Sequence, residues 1–584
     1  MSSHTANIPI AEPPEGRHST ASTTLAMLTL ISILSVLLFT SIFDSTAATC
    51  RCLPGNPCWP SPQTWSQFNA SISGHLVATV PLGAPCHDPN YDAAKCAQLR
   101  DNWTHPQPHY ESSSSVMAPY FANNSCDPFH PPGKPCTLGN YVVYAVNAST
   151  PDHVSKALQF VRQHNIRLVV RNTGHDYLGK STGAGALGLW MHHLKGITVA
   201  DYRDARYTGK AITVGAGVLG IEAYQAADAQ GLQIVGGECP TVGLAGGYTQ
   251  GGGHSMLSSK YGLAADQVLS WQVFTGEGEL VTATRENYPD LYWALSGGGG
   301  GTYGVVWSMT AKAYPDTPVS GLNLTFSREG TDAEAFYGAI SRFHASLPDL
   351  VDAGAMCIWS LTNTSFSLNP LTGPNIPATE LVDLLSPFMD HLDEQEITYN
   401  ISADDFPGYL SQFQAMMPDV PVSEAQLGSW LIPRDVVEEN ENFTAAARQI
   451  VEDGAFLVTV GLSVSKAVAR NVDNAVLPAW RDTLAHTVVL TPWEWNADEE
   501  MREWQRRMTG VYVPLLSRLA PNSGAYMNEA DFRQPDYKRA FYGENYAKLR
   551  EIKKKYDPYD VFYAPTAVGS DEWIESSSGR LCRV

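Results

Sequence analysis

Basic residues are scarce in this chain, and their scarcity excludes one class of function. The 584 residues include 38 lysines and arginines against 59 aspartates and glutamates, which gives a formal net charge of −21. Proteins that bind nucleic acid need clustered Lys and Arg to neutralise phosphates. We therefore expect no nucleic-acid partner. An acidic surface mainly serves solubility and does not identify a substrate.

The sequence also lacks two familiar cofactor signatures. Its glycine-dense stretches, residues 236–253 and 297–301, do not follow a strand and open a helix with G-x-G-x-x-G spacing, so an NAD site is disfavoured. The cysteines lack a second paired C-x-x-C. His192 and His193 are neighbours, and adjacent residues on a strand point to opposite faces. We therefore predict no metal site.

Cysteine is scarce outside one region near the N-terminus. Seven of the ten cysteines lie between residues 50 and 136, among Pro, Gly and Asn, where little hydrophobic core can form. Disulfides are the usual way to stabilise such a region. The seven are Cys50, Cys52, Cys58, Cys86, Cys96, Cys126 and Cys136. Cys582 is a candidate to bridge back to them, and the sequence leaves the connectivity open.

An uncharged run of 19 residues, 25–43, follows a polar tail at residues 1–24. The run is long enough to span a bilayer, and small residues after it suit signal-peptidase cleavage. Signal anchor and cleaved signal both stay open, and either sends the rest of the chain into the secretory lumen. Eight N-x-S/T sequons predict N-glycans. They begin at Asn69, Asn102, Asn123, Asn147, Asn323, Asn363, Asn400 and Asn442.

The length predicts two or more lobes, and the pattern after Cys136 is that of a mixed α/β protein. A strand at residues 166–170 leads directly into a turn that contains Gly174 and His175. Such a turn at a strand end aims backbone N–H groups at an anion such as a diphosphate. Taken alone, His175 also fits an ordinary loop histidine. Cys239 lies in a glycine-rich loop and, taken alone, also fits a buried apolar thiol.

Several segments together resemble the berberine bridge enzyme-like branch of the vanillyl-alcohol oxidase/p-cresol methylhydroxylase flavoproteins. The resemblance covers roughly residues 141–315 and 524–573, with five motifs in family order. The N-terminal cysteine segment is similar to extracellular fungal members. The motifs are residues 171–179, 239–243 with Gly246 and Gly247, 261–266, 290–295 before the pentaglycine, and Asn545-Tyr546 with Tyr556-Asp557-Pro558.

The resemblance implies an α+β fold with a two-lobed FAD-binding domain and an α/β substrate-binding domain over the flavin. The expected boundaries are 50–136 for a Cys-rich extension, 137–316 for the FAD-binding domain, 317–523 for the substrate-binding domain and 524–584 for a segment returning to the FAD domain. His175 would bond to the flavin 8α carbon, and Cys239 sits where bicovalent members bond to C6. The other implied flavin-binding residues are Arg171, Asn172, Thr173, Gly174, Asp176, Val242, Gly243, Gly247, Tyr526 and Asn528.

The chain departs from the family at Glu529, where many relatives have a catalytic tyrosine. A carboxylate there acts as a general base if burial raises its pKa toward neutrality. The alternative is that Glu529 pairs with a cation and the base comes from the second lobe. We name Glu529 and Tyr526 as the candidate catalytic residues. Val242 aligns with a position where valine permits reaction with O2, which favours an oxidase.

The sequence therefore predicts an FAD-linked oxidase that acts on a small organic substrate in fungal secondary metabolism. Two alternatives stay open. One is an extracellular oligosaccharide oxidase, which shares the fold and the double flavin link. The other is a flavin-fold glycoprotein that binds a ligand without turnover.

Overall fold

Short runs of β-branched and aromatic residues, separated by glycine-rich turns, pair into four β-sheets in the computed structural model. The structure describes residues 50–122, 125–417 and 420–584. The predicted polar tail and hydrophobic run lie outside the described residues. Residues 50–584 form one unit. Helices and sheets both contribute, so the α+β class is confirmed.

The first half of the chain builds two sheets. The strands of sheet one are β1 (Leu76–Ala78), β2 (Tyr144–Asn147), β3 (Leu168–Arg171) and β4 (Leu187–Trp190). They lie in the order β1-β2-β4-β3, with β4 parallel to both β2 and β3. The strands of sheet two are β5 (Ile197–Arg203), β6 (Thr208–Gly215), β7 (Leu232–Gln233), β8 (Val268–Phe274), β9 (Leu280–Ala283) and β10 (Val305–Pro315). Its antiparallel order is β5-β6-β10-β8-β9, and β7 also pairs with β10.

The second half builds a seven-stranded antiparallel sheet in the order β14-β11-β13-β12-β16-β17-β15. Its strands are β11 (Val319–Ser327), β12 (Met356–Leu361), β13 (Ser365–Pro374), β14 (Tyr399–Phe406), β15 (Ala425–Pro433), β16 (Phe456–Gly461) and β17 (Thr483–Pro492). A small hairpin near the C-terminus pairs β18 (Trp573–Glu575) with β19 (Leu581–Arg583).

Helices cover these sheets with their apolar faces. The α-helices are Pro62–Ser71, Ala93–Asn102, Pro106–Glu111, Pro119–Ala122, Pro151–Gln163, Gly220–Asp228, Ser258–Tyr261, Ala264–Gln267, Pro289–Leu295, Ala333–Asp352, Ala378–Glu394, Tyr409–Met416, Arg434–Glu438, Glu441–Glu452, Asp498–Arg507, Val513–Leu519 and Tyr546–Tyr556. Helix Pro151–Gln163 buries Val154, Leu158 and Val161 against sheet one, as its helical spacing predicts. None of the helices in the described part of the chain combines the length and the apolar character that crossing a bilayer requires.

Four disulfides staple the N-terminal cysteine region, and one of them reaches the other end of the chain. Cys50 pairs with Cys582, so the candidate long-range bridge is confirmed. The other three bridges are local: Cys52–Cys58, Cys86–Cys96 and Cys126–Cys136. Four bridges fit a protein folded in an oxidising compartment.

A buried ion pair ties the seven-stranded sheet to the segment that precedes β8. Arg481, just before β17, donates two hydrogen bonds to Asp266, at 2.7 and 2.9 Å. Asn474 donates a third, at 2.7 Å. Asp266 closes the motif at residues 261–266, and its side chain is 1% exposed. The two halves of the chain are therefore held together at this point.

Candidate active site

The loop after β3 carries His175, and hydrogen bonds from the Arg171 side chain hold this loop in place. This arginine is 2% exposed and donates to the carbonyls of His109 and Ser112, both at 2.6 Å, and of Thr173 at 3.1 Å. Gly174 has φ +93°, and a Cβ there would lie 2.9 Å from a carbonyl oxygen. Only glycine meets both demands without strain. The N-terminal extension thus holds the histidine loop in place.

His175 and Cys239 meet at one hydroxyl group. The His175 Nε2 atom lies 2.8 Å from Thr241 Oγ1, and the Cys239 Sγ atom lies 3.5 Å from the same oxygen. Cys239 and Cys357 are the two cysteines outside disulfides among the described residues. Burial, followed by the nearby His109 and Arg171 charges, lowers the pKa of His175 to about 3. The imidazole is therefore neutral and has a lone pair available.

A glycine-rich segment follows Cys239 and packs closely on Asn172. We call residues 240–253 the glycine turn. A Cβ at Gly243 would lie 2.0 Å from Asn172 Nδ2, so this close approach requires glycine. Nearby, Gly247 is exposed, and open space lies where its Cβ would be. The turn and the histidine loop therefore face each other across a narrow distance.

Several buried polar atoms around these loops have no hydrogen-bond partner among the described residues. They are Arg171 Nε, Asn172 Oδ1, Ser181 Oγ and Gln250 Oε1. Buried polar groups in native proteins are normally paired with protein, water or ligand. The orphaned atoms, the close glycine turn and the two nucleophiles together fit a large polar cofactor bound between the loops.

The C-terminal segment reaches the same turn through Asn528. Its Nδ2 donates to Gly247 O at 3.0 Å and to Tyr526 Oη at 2.7 Å. A Cβ at Gly251 would lie 2.5 Å from the Asn528 amide. Tyr526 is 1% exposed. The tertiary structure thus brings residues 526–529 against the glycine turn, nearly 300 residues away in sequence.

Glu529 lies in a row of four groups that we call the His/Glu cluster: Glu238, His254, Glu529 and His486. His254 bridges two carboxylates, with Nδ1 3.0 Å from Glu238 Oε1 and Nε2 3.1 Å from Glu529 Oε1. His486 Nε2, on β17, lies 2.8 Å from Glu529 Oε2. The Glu529 side chain is 27% exposed, whereas both histidines are buried. Glu529 is therefore the most accessible member of the cluster, since the Glu238 side chain is 15% exposed.

The charges in this cluster correct one expectation about Glu529. Burial by itself would raise its pKa, but His254 and then His486 outweigh burial and hold the pKa well below the ordinary carboxyl value. Burial would lower the pKa of His254, yet Glu238 and Glu529 raise it well above its usual range. Burial lowers the pKa of His486 despite its contact with Glu529. Burial therefore does not raise the pKa of Glu529 toward neutrality here, because His254 and His486 oppose it. The catalytic role of Glu529 stays a prediction.

The His175–Cys239 pair and the His/Glu cluster are connected along the backbone. Glu238, which contacts His254, is the neighbour of Cys239 in sequence. Burial raises the pKa of Tyr177, and the nearby Cys239 and Glu529 raise it further. The two groups of residues therefore lie next to each other.

Donor groups for a metal occur together once in the described part of the chain. The ligand atoms of His254, His486 and Glu529 lie within 4.8 Å of one another. They already hydrogen bond to each other, and we assign no metal to them. His192 and His193 lie in a turn after β4 rather than on a strand, which corrects the sequence argument. His192 is buried and His193 is exposed.

Comparisons with known proteins agree with this geometry. A family model described as an FAD binding domain matches residues 143–284, and one described as berberine and berberine like matches residues 525–569. The FAD-linked oxidoreductase patO of Aspergillus clavatus is 50% identical over 93% of this chain and 96% of its own length. The chain belongs to the berberine bridge enzyme-like FAD-linked oxidoreductases. The family resemblance drawn from the sequence motifs is confirmed.

Other members of the family match nearly the whole chain. The bifunctional decalin synthase calF of Penicillium decumbens is 42% identical over 96% of this chain and 99% of its own. The crystal structure of the VAO-type flavoprotein MtVAO615 from Myceliophthora thermophila C1 is 41% identical, covers 92% of this chain and 100% of that chain, and has a TM-score of 0.88. The protein is thus an FAD-dependent oxidoreductase, and its fold is that of the VAO-type flavoproteins.

The site of this family member contains most of the residues that the motifs predict, although their roles stay predictions. Arg171 ends β3, and Asn172, Thr173, Gly174 and His175 follow it in one loop. Gly243 packs on Asn172, and Cys239 is linked to His175 through Thr241. Val242 and Gly247 lie in the same glycine-rich segment as Gly243. Asp176 instead accepts the backbone N–H of Lys180 within its own loop.

Sequence reasoning missed His254 and His486. His254 follows three glycines in the turn, which is a usable signal for a residue at a site. His486 is a single histidine in an apolar strand, and only the tertiary structure reveals its partner.

Proposed function

We propose that this oxidoreductase is an O2-using oxidase with FAD bound covalently through His175 and Cys239, acting on a small organic substrate. When bound, the flavin accepts a hydride from the substrate and returns the electrons to O2, which yields hydrogen peroxide. The observation that carries the proposal is the convergence of both nucleophiles beside the His/Glu cluster, at 2.8 and 3.5 Å from Thr241 Oγ1.

Proton removal is assigned to the His/Glu cluster as a unit. His254 contacts both carboxylates, and His486 contacts Glu529. Groups in such contact titrate together, so we assign proton uptake to the cluster and not to Glu529 alone, whose pKa is held low. Glu529, as the accessible member, is proposed to contact the substrate O–H, N–H or acidic C–H. His254 and His486 orient its carboxylate.

Val242 supports the choice of an oxidase. It lies in the glycine turn, with its backbone N–H 3.3 Å from the Cys239 carbonyl, so it is held beside the proposed thioether link. The family resemblance places valine at the oxygen-facing position. The proposal therefore predicts rapid reoxidation by O2.

Secondary metabolism is the proposed context. One relative is named a decalin synthase, and the relatives patO and calF come from filamentous fungi. The four disulfides support folding in the secretory pathway. Membrane anchoring through residues 25–43 and glycosylation stay predictions, as do the alternatives of an oligosaccharide oxidase and a non-catalytic binding protein.

Glu529→Gln tests the proposal in a substrate-reduction experiment. We expect the rate constant for anaerobic bleaching of the flavin to fall by about 10²–10⁴-fold, because a positioned proton acceptor contributes this much. Stopped-flow absorbance with any substrate that bleaches the wild-type flavin measures it. Reoxidation by O2, followed as peroxide formation, should stay within about twofold of wild type.

The matched control is Glu380→Gln, an exposed glutamate on helix Ala378–Glu394. It should leave both half-reactions unchanged. A wild-type rate of flavin reduction in Glu529→Gln contradicts the assignment of the proton acceptor. If no substrate panel produces peroxide with the wild type, the oxidase proposal itself fails.

A further inference from the structure

We propose that the Thr241 hydroxyl prepares both attachment residues for bonding to the flavin, by accepting a hydrogen bond from the Nε2–H of His175 and donating a hydrogen bond to the sulfur of Cys239. We call His175, Thr241 and Cys239 the attachment triad. The inference rests on the proposed double link. It adds a positioning residue for a modification reaction that the chain performs on its own cofactor.

The geometry of the attachment triad limits how its protons are arranged. Thr241 Oγ1 lies 2.8 Å from His175 Nε2 and 3.5 Å from Cys239 Sγ, both within hydrogen-bond range for their atom types. A hydroxyl carries one proton and two acceptor lone pairs, so it donates to at most one of the two neighbours. In the first arrangement the imidazole donates to Thr241 and Thr241 donates to sulfur. In the reverse arrangement the thiol donates to Thr241 and Thr241 donates to Nε2, and in a third Thr241 accepts from both.

The first arrangement is the one that favours attachment. With the proton on Nε2, the Nδ1 atom of neutral His175 keeps its lone pair and is the nucleophile. The hydroxyl proton then stabilises a thiolate at Cys239, which is the reactive form of cysteine. In the reverse arrangement the sulfur keeps its proton, and the lone pair of Nε2 is occupied by the hydroxyl.

The surroundings of the attachment triad oppose ionisation of Cys239, so a thiolate there needs a hydrogen-bond donor. Burial raises the pKa of Cys239, and Glu238 adds to the rise, while hydrogen bonds from Thr241 act in the opposite direction. Burial, and then the nearby His109 and Arg171, lower the pKa of His175. Among the described residues, Thr241 supplies the one side-chain hydrogen bond to each nucleophile.

The attachment steps balance with O2 as the oxidant. Bonding of His175 replaces a flavin C–H bond with a C–N bond, and bonding of Cys239 replaces another with a C–S bond. For each bond one proton leaves the flavin carbon, which is the 8α-methyl carbon for His175 and ring carbon C6 for Cys239, and one leaves the nucleophile, together with two electrons. Dioxygen takes up the two electrons and two protons and becomes hydrogen peroxide. The proton that leaves His175 is the one on Nε2, which faces Thr241.

The test compares Thr241→Val, which keeps the shape and removes the hydroxyl, with Thr241→Ser, which keeps the hydroxyl. Thr213→Val serves as the matched control, since it removes a hydroxyl that bonds to Thr310 between β6 and β10. Two quantities are measured on each purified protein: the flavin retained after acid precipitation, and the masses of the peptides that contain residues 175 and 239.

We expect fewer than about a tenth of the Thr241→Val molecules to carry both bonds, because loss of a positioned proton-transfer group costs on the order of 10²-fold in rate. Thr241→Ser and Thr213→Val should carry both bonds at wild-type levels. Wild-type linkage in Thr241→Val, or loss of linkage in Thr241→Ser, overturns the role of the hydroxyl.

A further variant separates this inference from the proposed double link. His175→Ala/Cys239→Ala should release all of its flavin on acid precipitation. If it retains flavin covalently, the proposed link is wrong and the role of Thr241 falls with it. If it releases the flavin while Thr241→Val stays doubly linked, the link stands and only the inference about Thr241 fails.

Discussion

At the scale of single residues, the partners of a side chain decide its chemistry more than its type does. Glu529 illustrates this, because burial of a carboxyl normally favours its neutral form. Here a buried imidazolium, His254, lies 3.1 Å away and reverses the outcome. Glu238 and then Glu529 raise the pKa of His254 although it is 4% exposed. His254 therefore stays charged with the help of both carboxylates, and it holds Glu529 in its ionised state.

This pairing predicts how stability depends on pH. The folded pKa of Glu529 lies below its ordinary value, so its contribution is present above the usual carboxyl pKa of about 4.3 and is lost as pH falls toward the folded value. The folded pKa of His254 is raised, so its contribution is present below about 6.5 and is lost as pH rises through the folded value. The pair stabilises most between these limits.

Glu529→Gln should therefore lower the free energy of unfolding by about 2 kcal/mol near pH 5.5. The deficit should shrink toward alkaline pH, as His254 loses its proton. Thermal melting of wild type and variant from pH 5 to pH 10 measures the difference. Glu380→Gln is again the control. A deficit that is constant or grows with pH would contradict the paired state.

At the scale of elements, strands and helices serve mainly as supports that bring loops together. The histidine loop leaves β3, the glycine turn follows β7, and His486 projects from β17. Their relative positions depend on contacts between elements, and the Asp266–Arg481 ion pair is a nearly buried link of this kind, with side chains 1% and 10% exposed. A buried pair leaves an uncompensated charge when one partner is removed.

Asp266→Asn should thus lower the free energy of unfolding by about 3–5 kcal/mol. The control is Asp352→Asn, which breaks the exposed pair with Arg434, whose side chains are 62% and 37% exposed. Exposed pairs contribute about 0–1 kcal/mol, so this variant should melt almost as the wild type does. Thermal melting of both variants measures the difference. Equal shifts in melting temperature would contradict the role of the Asp266–Arg481 pair in holding the two halves of the chain together.

At the scale of the whole molecule, the two ends of the described chain are joined covalently. The Cys50–Cys582 bridge closes a loop with a sequence separation of 532, whereas Cys52–Cys58 spans a separation of only 6. A cross-link stabilises mainly by restricting the unfolded chain, and the effect grows with the length of the loop.

Cys50→Ser/Cys582→Ser should accordingly lower the free energy of unfolding by about 2–5 kcal/mol. Cys52→Ser/Cys58→Ser, the short-loop control, should lose less. Denaturant unfolding of the two double variants in parallel gives the comparison. An equal or larger loss in the control would show that the long bridge does not act through the unfolded chain.

Much of the architecture could be predicted because it depends on local patterns. The strand predicted at residues 166–170 is β3 (Leu168–Arg171), and the turn after it contains Gly174 and His175 as predicted. The motifs at residues 171–179 and 239–243 identify the family without any knowledge of tertiary contacts. Predicted domain boundaries, sequon use and the hydrophobic run at 25–43 stay predictions.

The sequence by itself determined the family, the mixed α+β class and the two candidate attachment residues, because these depend on local residue spacing and on the order of motifs along the chain. Only the tertiary structure decided that His254 and His486 flank Glu529 and that one hydroxyl joins His175 to Cys239. Electrostatic interactions depend on distance in space, and 275 residues separate His254 from Glu529 along the sequence. The ionised state of Glu529 was therefore beyond the reach of any local pattern.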